Sequence, residues 1–600
     1  MKLNYLKLIV PFFFFTVGLQ TSCNESDKRA KESERVNLSP EHWKTDYNKY
    51  LDKHNIKPTD EAVAKGKYGA VAVGYYGLAS RAGLEALKQG GSAIDAAMTT
   101  ALTQITLDGG YAISYFGVMD LVYFEAKTGK TYTMAANWNS IINDTDPSTI
   151  PGGIPDPFHP DGDTRLPSGR SALVGGFMKG LEEAHNRFGK LPFNQLFQPA
   201  IYIADNGFHI DEELALAIEM RKQELSRLAD TKAIYYKPTD SIYKEGDLFK
   251  QPELAKTLDS ISRNGADYMY NGPWGEQLVS TLQSEGGFMT MEDLQKYNVI
   301  WEEPLVKKFG DYEINVMPNN GGILTVEALN LANASGLSNE DDWTKSSESL
   351  KKALTITQAT MNFDFMSSDR FSEIYPGIQR TDSSRVSQTY ADSLWNRMKD
   401  GVLPRNWKTQ DYKSSDVVVV VDSEGNIAAL GHSINTVLFG KTAITVGGIT
   451  ISDAGSIYKN QLAKMKPGTK VKSISKVGIL TNENKGVMGF SAKGAGMHHR
   501  SIQGLLNYIY YDMKIDQAVT SPDFFTAGRD RESRELYIRV PEGSYPKEIL
   551  EGTGWYFQEI PPEKARANGE GVWIGVSYDP STKEIIAASH TRSNSASVAY

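Results

Sequence analysis

The chain moves between two hydrophobic rhythms. Residues 68–76, YGAVAVGYY, set small and apolar side chains in close succession and predict a strand. Beyond them Leu84, Leu87, Ile94 and Ala97 fall near helical spacing, and Gly90-Gly91 divides that run into two helices. Residues 116–137 read as a hairpin, with Lys127-Thr128-Gly129-Lys130 turning between apolar strands. Residues 175–300 are mostly helical, in segments that end on Gly or Asn-Gly as helices with a left-handed cap do. Residues 304–330 predict a strand, a turn at Gly321-Gly322 and a helix, and residues 350–366 a further helix. Residues 371–413 are polar and irregular, the pattern of a linker or a processed loop. The stretch KSSDVVVVVDSEGNIAALGHSINT, residues 413–436, then contains the five-valine run Val417 to Val421, which predicts a strand buried on both faces. A glycine-rich segment and a helix over residues 501–513 follow. Strands at both ends and helices between them predict an α/β (α+β) fold of sheets covered by helices.

Composition adds an ordinary soluble core, 40% hydrophobic and 23% charged, with a net charge of −9. No basic stripe marks a nucleic-acid partner. The single cysteine, Cys23, follows a basic start (Lys2, Lys7), an apolar run over residues 8–18 and the small residues Thr21 and Ser22. That order resembles a bacterial lipoprotein signal peptide, with Gln20 where an aliphatic residue is usual. The expectation is a signal peptide over residues 1–22, Cys23 as the lipidated start of the mature chain, and a polar tether over residues 23–46. The protein would then be exported and held at a membrane by its lipid. An ordinary secretory signal is the alternative. With one cysteine no internal disulfide forms.

Familiar metal and phosphate motifs are missing. There is no CxxC, no HExxH, no GxxxxGK[ST] and no GxSxG, so no metal or cofactor is expected. His498-His499 reads as a loop pair. SISK at Ser473, SIN at Ser433 and KTA at Lys441 echo penicillin-binding enzymes, but their order is wrong and SIYK occurs twice more, at Ser241 and Ser456.

One constellation remains. Ser414, Ser415 and Asp416 stand at the head of the valine strand. A serine hydroxyl needs a base to act as nucleophile. If the chain is cut just before it, the freed α-amine, with a reference pKa of about 7.7–8.0, supplies that base. An oxyanion site is then required, and SAKGAGMHH, residues 491–499, offers backbone N–H groups in a glycine-rich loop. For Ser415 taken alone, a capped strand start is the simpler reading.

Several ordered blocks supply the context. ASRAGLEALKQGGSAIDAAM, GGFMKGLEEAHNRFGKLPFNQLFQPAIYIADNGF, GGFMTMEDLQKYNVIWEEPL, MPNNGGI and VVDSEGNIAALGHSINTVLFG run in order from about Val71 to the end. Together they resemble the γ-glutamyltransferase (glutathione hydrolase) family of N-terminal-nucleophile hydrolases. The resemblance implies a four-layer αββα sandwich and a precursor that cuts itself into a large and a small subunit, here residues 47–414 and 415–600. It implies Ser415 in the place of the usual threonine nucleophile, with Ser414–Ser415 as the cleaved bond. It places the supporting hydroxyl at Ser433, the oxyanion pair at Gly494 and Ala495, and substrate-carboxylate ligands at Asn435 and Ser473. The implied activity is hydrolysis or transfer of a γ-glutamyl or related small amide; a silent surface lipoprotein that binds ligand with the same fold is the alternative.

The chain departs from that pattern at the substrate end. Asn137 stands near the family's carboxylate-clamping arginine, Lys472 replaces a serine beside Ser473, and Ala454 and Ile457 stand where amine ligands are expected. Losing a guanidinium fork removes a bidentate carboxylate contact. Asp453 or Lys472 are the residues expected to compensate.

Overall fold

The computed structural model describes residues 36–54, 62–152, 165–364, 366–398, 415–436, 438–494, 496–525, 527–529, 536–561, 571–590 and 594–600. Almost all of them belong to one compact unit, Leu38–Tyr600. Cys23, Ser414 and Ala495 lie outside the described residues.

Two seven-stranded antiparallel sheets lie face to face. The first runs Ala596–Ala599, Gly69–Val73, Ser415–Asp422, Ile427–Ser433, Val118–Glu125, Lys130–Ala136 and Ile300–Glu302. The second runs Val63–Gly66, Ile585–Ala588, Val572–Tyr578, Lys485–Lys493, Lys476–Asn482, Tyr312–Val316 and Leu305–Phe309. Strand order ignores chain order, so each sheet joins residues from the first and last thirds of the chain.

The valine run shows why the central strand is fixed. Val417, Val419 and Val421 meet Val477, Ile479, Ile574 and Val576 of the second sheet. Val418 and Val420 alternate onto the other face, where helix Ala93–Asp108 packs on the strand. All five are buried, and each contributes about 1.5–3 kcal/mol of burial. The second sheet's outer face, with Ile314, Leu480, Met488, Phe490 and Trp573, is covered by helices Asn320–Ala334, Ser347–Asp364, Gln388–Met398 and Met497–Tyr510. The layers are therefore α, β, β and α, as expected.

Four expectations need correction. The tether does not extend to residue 46: Leu38, Trp43 and Tyr47 are buried, a short 3-10 turn spans Pro40–Trp43, and helix Lys44–His54 follows. Arg81 pins that turn, pairing with Asp46 at 2.7 Å while its guanidinium stacks over Trp43. The polar segment after residue 371 is helical up to residue 398, with helices Ser368–Ile374, Asp382–Arg385 and Gln388–Met398. Its polarity misleads because Arg380 and Arg385 turn inward onto the buried Glu327 at 3.0 and 2.7 Å. Gly321 and Gly322 make no turn between elements; they open helix Asn320–Ala334, where a side chain at 321 would strike the Ser475 carbonyl. His498 and His499 lie in the first turn of helix Met497–Tyr510, both buried, and are not a loop pair.

Candidate active site

Ser415 is the first residue of its strand and is half-buried. In the antiparallel register it stands opposite Ser433, as Val417 stands opposite Gly431. Directly opposed residues share a face, and Val417 fixes that face as the one toward the second sheet. Both hydroxyls thus enter the gap between the sheets. Gly431 carries no side chain, and a Cβ there would meet Val477 Cγ1 at 3.4 Å and Val417 Cγ1 at 3.7 Å, so the two sheets close on each other just beyond Ser433.

The second sheet brings the glycine-rich loop. Strand Lys485–Lys493 ends at Gly494, whose N–H donates to Ser415 Oγ at 3.5 Å. Gly494 has φ +83°, a left-handed conformation that suits glycine. Helix Met497–Tyr510 starts three residues later, so its positive end lies near the same place. Asp416 and Lys493 reinforce this junction. They are nearly fully buried and approach to 3.8 Å, linking the residue after Ser415 to the residue before Gly494. Burial pushes the Asp416 carboxyl well up. Gly74 makes room for the pair, since a Cβ there would lie 2.7 Å from Asp416 Oδ1 and 2.8 Å from Lys493 Cδ.

Ser433 Oγ accepts the Asn435 N–H at 2.9 Å. Asn435 has φ +50°, which asparagine tolerates better than most residues. Its Oδ1 accepts from the Trp138 indole at 3.1 Å. An indole only donates, so the contact fixes the oxygen toward Trp138 and turns the amide N–H groups the other way.

The substrate end is built differently from the expectation. Asn137 is not directed at an open anion site; its Nδ2 donates to Asp120 Oδ1 at 2.9 Å. Asp120 is the inward residue of strand Val118–Glu125 that pairs with Gly431. Ser475 Oγ donates to Asp120 Oδ2, and the Ser473 hydroxyl, which accepts the Ser475 N–H at 3.1 Å, lies close enough to this carboxylate to favour its charged form. Burial raises the Asp120 carboxyl, and those donors oppose the rise. Lys470 stands nearby, its Nζ 2.9 Å from Asn139 Oδ1, 3.4 Å from the Asn137 carbonyl and 3.9 Å from the Tyr297 ring centre. Burial pushes Lys470 down to about 7, against the pull of Asp120.

The structure thus brings Ser415, Ser433, Gly494 and Asn435 together, and groups Asn137 with Ser473. Lys472 joins neither group: it is largely exposed and pairs with Asp382 at 3.3 Å. Asp453 is not a compensating ligand either. It is buried, accepting from Thr436 Oγ1 and, at 3.1 Å, from the Lys441 N–H. Ala454 opens the helix that follows it. Sequence reasoning passed over Asp120, Lys470, Ser475, Trp138 and the Asp416–Lys493 pair. Asp120 left the clearest signal, a lone carboxylate inside the apolar strand VMDLVYF.

Known proteins agree with this architecture. The family model described as Gamma-glutamyltranspeptidase matches residues 79–599. A glutathione hydrolase proenzyme of Bacillus subtilis (strain 168) is 29% identical over 525 residues, covering 81% of this chain and 84% of that protein. One from Escherichia coli (strain K12) is 25% identical over 537 residues, covering 83% and 87%. The crystal structure of a cephalosporin acylase from Bacillus halodurans superposes with a TM-score of 0.72 at 21% identity, covering 91% of this chain and 98% of that one, which shows a shared fold. With a family match over most of its length and the αββα layers that carry the site, the chain belongs to the gamma-glutamyltranspeptidase family.

Proposed function

We propose that this protein is a self-processing amidohydrolase that cuts its own Ser414–Ser415 peptide and then uses Ser415 against a small amide. The observation that carries the reading is Ser415 Oγ at the head of a rigid strand, opposite Ser433 and within reach of the Gly494 N–H. After processing, the Ser415 α-amine takes the hydroxyl proton as Oγ attacks the substrate carbonyl carbon. The Gly494 N–H meets the developing oxyanion, with Ala495 as the second donor that the family resemblance implies. The proton passes to the departing amine, the C–N bond breaks, and an acyl ester remains on Ser415. Water releases it as an acid, or a second amine takes the acyl group. Ser433 and Asn435 hold the nucleophile's surroundings and the acyl chain.

The test is a denaturing gel of the purified chain with N-terminal sequencing of the smaller fragment. The expected fragment begins at Ser415, and Ser415→Ala leaves the chain whole. An intact wild-type chain would instead support a silent ligand-binding lipoprotein. The same proposal exports the protein through residues 1–22 and anchors it by a lipid on Cys23. Fatty-acid labelling that persists in Cys23→Ala would defeat the anchor.

A further inference from the structure

The acyl end of the site has been rebuilt around a buried carboxylate. Asp120 faces the gap between the sheets, on the strand that pairs it with Gly431. Two donors converge on it, Asn137 Nδ2 and Ser475 Oγ, and the Ser473 hydroxyl lies beside them. Asn137 and Ser473 occupy the positions where the family resemblance places substrate-carboxylate ligands. Here the Asn137 amide is committed to the protein's own carboxylate, and Ser473 lies against the same group. A substrate carboxylate entering this space would find the ligands taken and a like charge behind them. Lys470 does not reverse that, because its ammonium is turned to Asn139 Oδ1 and the Asn137 carbonyl. Lys472 lies outside with Asp382.

We infer that the pocket takes a short acyl group with no carboxylate at its far end, and that Asp120 is the residue that sets this specificity. The inference rests on the hydrolase reading above. Like-charge juxtaposition in a partly desolvated site rejects a ligand strongly. A site whose donors are already satisfied also gains nothing from a carboxylate that must shed its water. Asp120 acts on selection of the acyl group and takes no part in the attack by Ser415.

The test uses the purified full-length, processed protein and four p-nitroanilides that differ only at C4 of the acyl chain. Butanoyl carries hydrogen there, 4-aminobutanoyl an ammonium, glutaryl a carboxylate, and γ-glutamyl both charges. The rate with Ser415→Ala is subtracted, to remove spontaneous cyclisation of the aminobutanoyl amide. The expected kcat/KM for the better carboxylate-free substrate exceeds both carboxylate-bearing ones by about tenfold or more. Asp120→Asn narrows that ratio severalfold, and Asp120→Gly with Asn137→Arg moves it further toward γ-glutamyl. Appearance of the processed fragments reports that each variant has folded. A processed enzyme that favours glutaryl or γ-glutamyl, that cleaves none of the four, or whose ratio is unmoved in a processed Asp120→Asn overturns the inference. A wild-type chain that never processes overturns the hydrolase reading itself, so the two failures are told apart on the gel.

Discussion

At the head of the valine strand, Ser415 stands opposite Ser433 and within reach of the Gly494 N–H, the arrangement on which the proposed N-terminal nucleophile rests. Two strands away, Asp120, Asn137 and Ser473 do not stand as a glutamyl carboxylate requires. The first region depends on strand register and on a glycine turn, which any substitution tends to break. The second depends on which side chains project into a gap, and these can be exchanged without moving the backbone. Family membership therefore speaks more strongly for the chemistry than for the substrate.

The comparison breaks most sharply at the nucleophile. Ser415→Ala is expected to stop autocleavage and lower amide turnover by on the order of 10^4-fold or more, whereas Ser415→Thr keeps both. Fragment appearance on a gel and anilide release check the pair. Next is Gly494→Ala. It places a side chain on φ +83° and shifts the N–H aimed at Ser415 Oγ. The expected fall in kcat is about 10²-fold, with KM little changed.

Third comes the buried pair behind the nucleophile. Lys493→Met leaves the Asp416 carboxyl buried beside Gly74 without its cationic partner; burial holds that carboxyl protonated, and the unpartnered group is expected to cost about 1–3 kcal/mol of stability. Replacing both, Lys493→Met with Asp416→Asn, recovers most of that loss. Denaturant midpoints check the pair. Equal losses in the single and double variants would show that the pair does no more than fill space.

These three regions were not equally legible in the sequence. The five valines dictate a buried strand, but alone they leave Ser415 a plain strand cap; it could be singled out only because the ordered blocks around it resemble a family with a nucleophile at that position. Gly494 could be found because a glycine-rich loop ahead of a helix is a local pattern. Asp120 and Lys470 could not be linked in the same way, since residues so distant in sequence come near each other only once the two sheets stack. Local polarity misled outright over residues 371–398: Arg385 looks solvent-facing in DSSRVSQ, yet it spans Glu327 and Asp364 in the interior. A charge buried by a partner more than fifty residues away has no local signature.

Lys470 offers a finer probe of the substrate end. With its pKa pushed down to about 7, it is largely neutral above that pH and gains a proton as pH falls through it. The added cation beside Asp120 makes the pocket less hostile to a substrate carboxylate. The ratio of carboxylate-free to carboxylate-bearing turnover should therefore shrink about threefold as pH falls across 7. Lys470→Met removes that inflection. A further drop at lower pH remains, because protonating Asp120, whose carboxyl is raised by burial, acts in the same direction. The full pH profile of the ratio checks this, and an unchanged profile in Lys470→Met would assign the whole effect to Asp120.

The smallest effect belongs to Lys472, and its smallness is informative. By sequence alignment it replaces a serine next to Ser473 and is the natural substitute for the missing arginine. In the fold its ammonium points to Asp382 at 3.3 Å, with both side chains more than half exposed. An exposed pair of this kind contributes about 0–1 kcal/mol. Lys472→Ala should leave stability nearly unchanged and hold the four-substrate ratio within about twofold, since a screened surface charge exerts little field on a gap several residues away. Adjacency in sequence to Ser473 does not confer a role, because neighbouring residues on an extended segment point to opposite sides. Ser473 turns in to Asp120 and Lys472 turns out. If Lys472→Ala instead lowered γ-glutamyl turnover selectively, the lysine would have to swing inward on binding. The contrast between a retained nucleophile end and a rebuilt acyl end would then give way to one in which a mobile lysine restores the clamp.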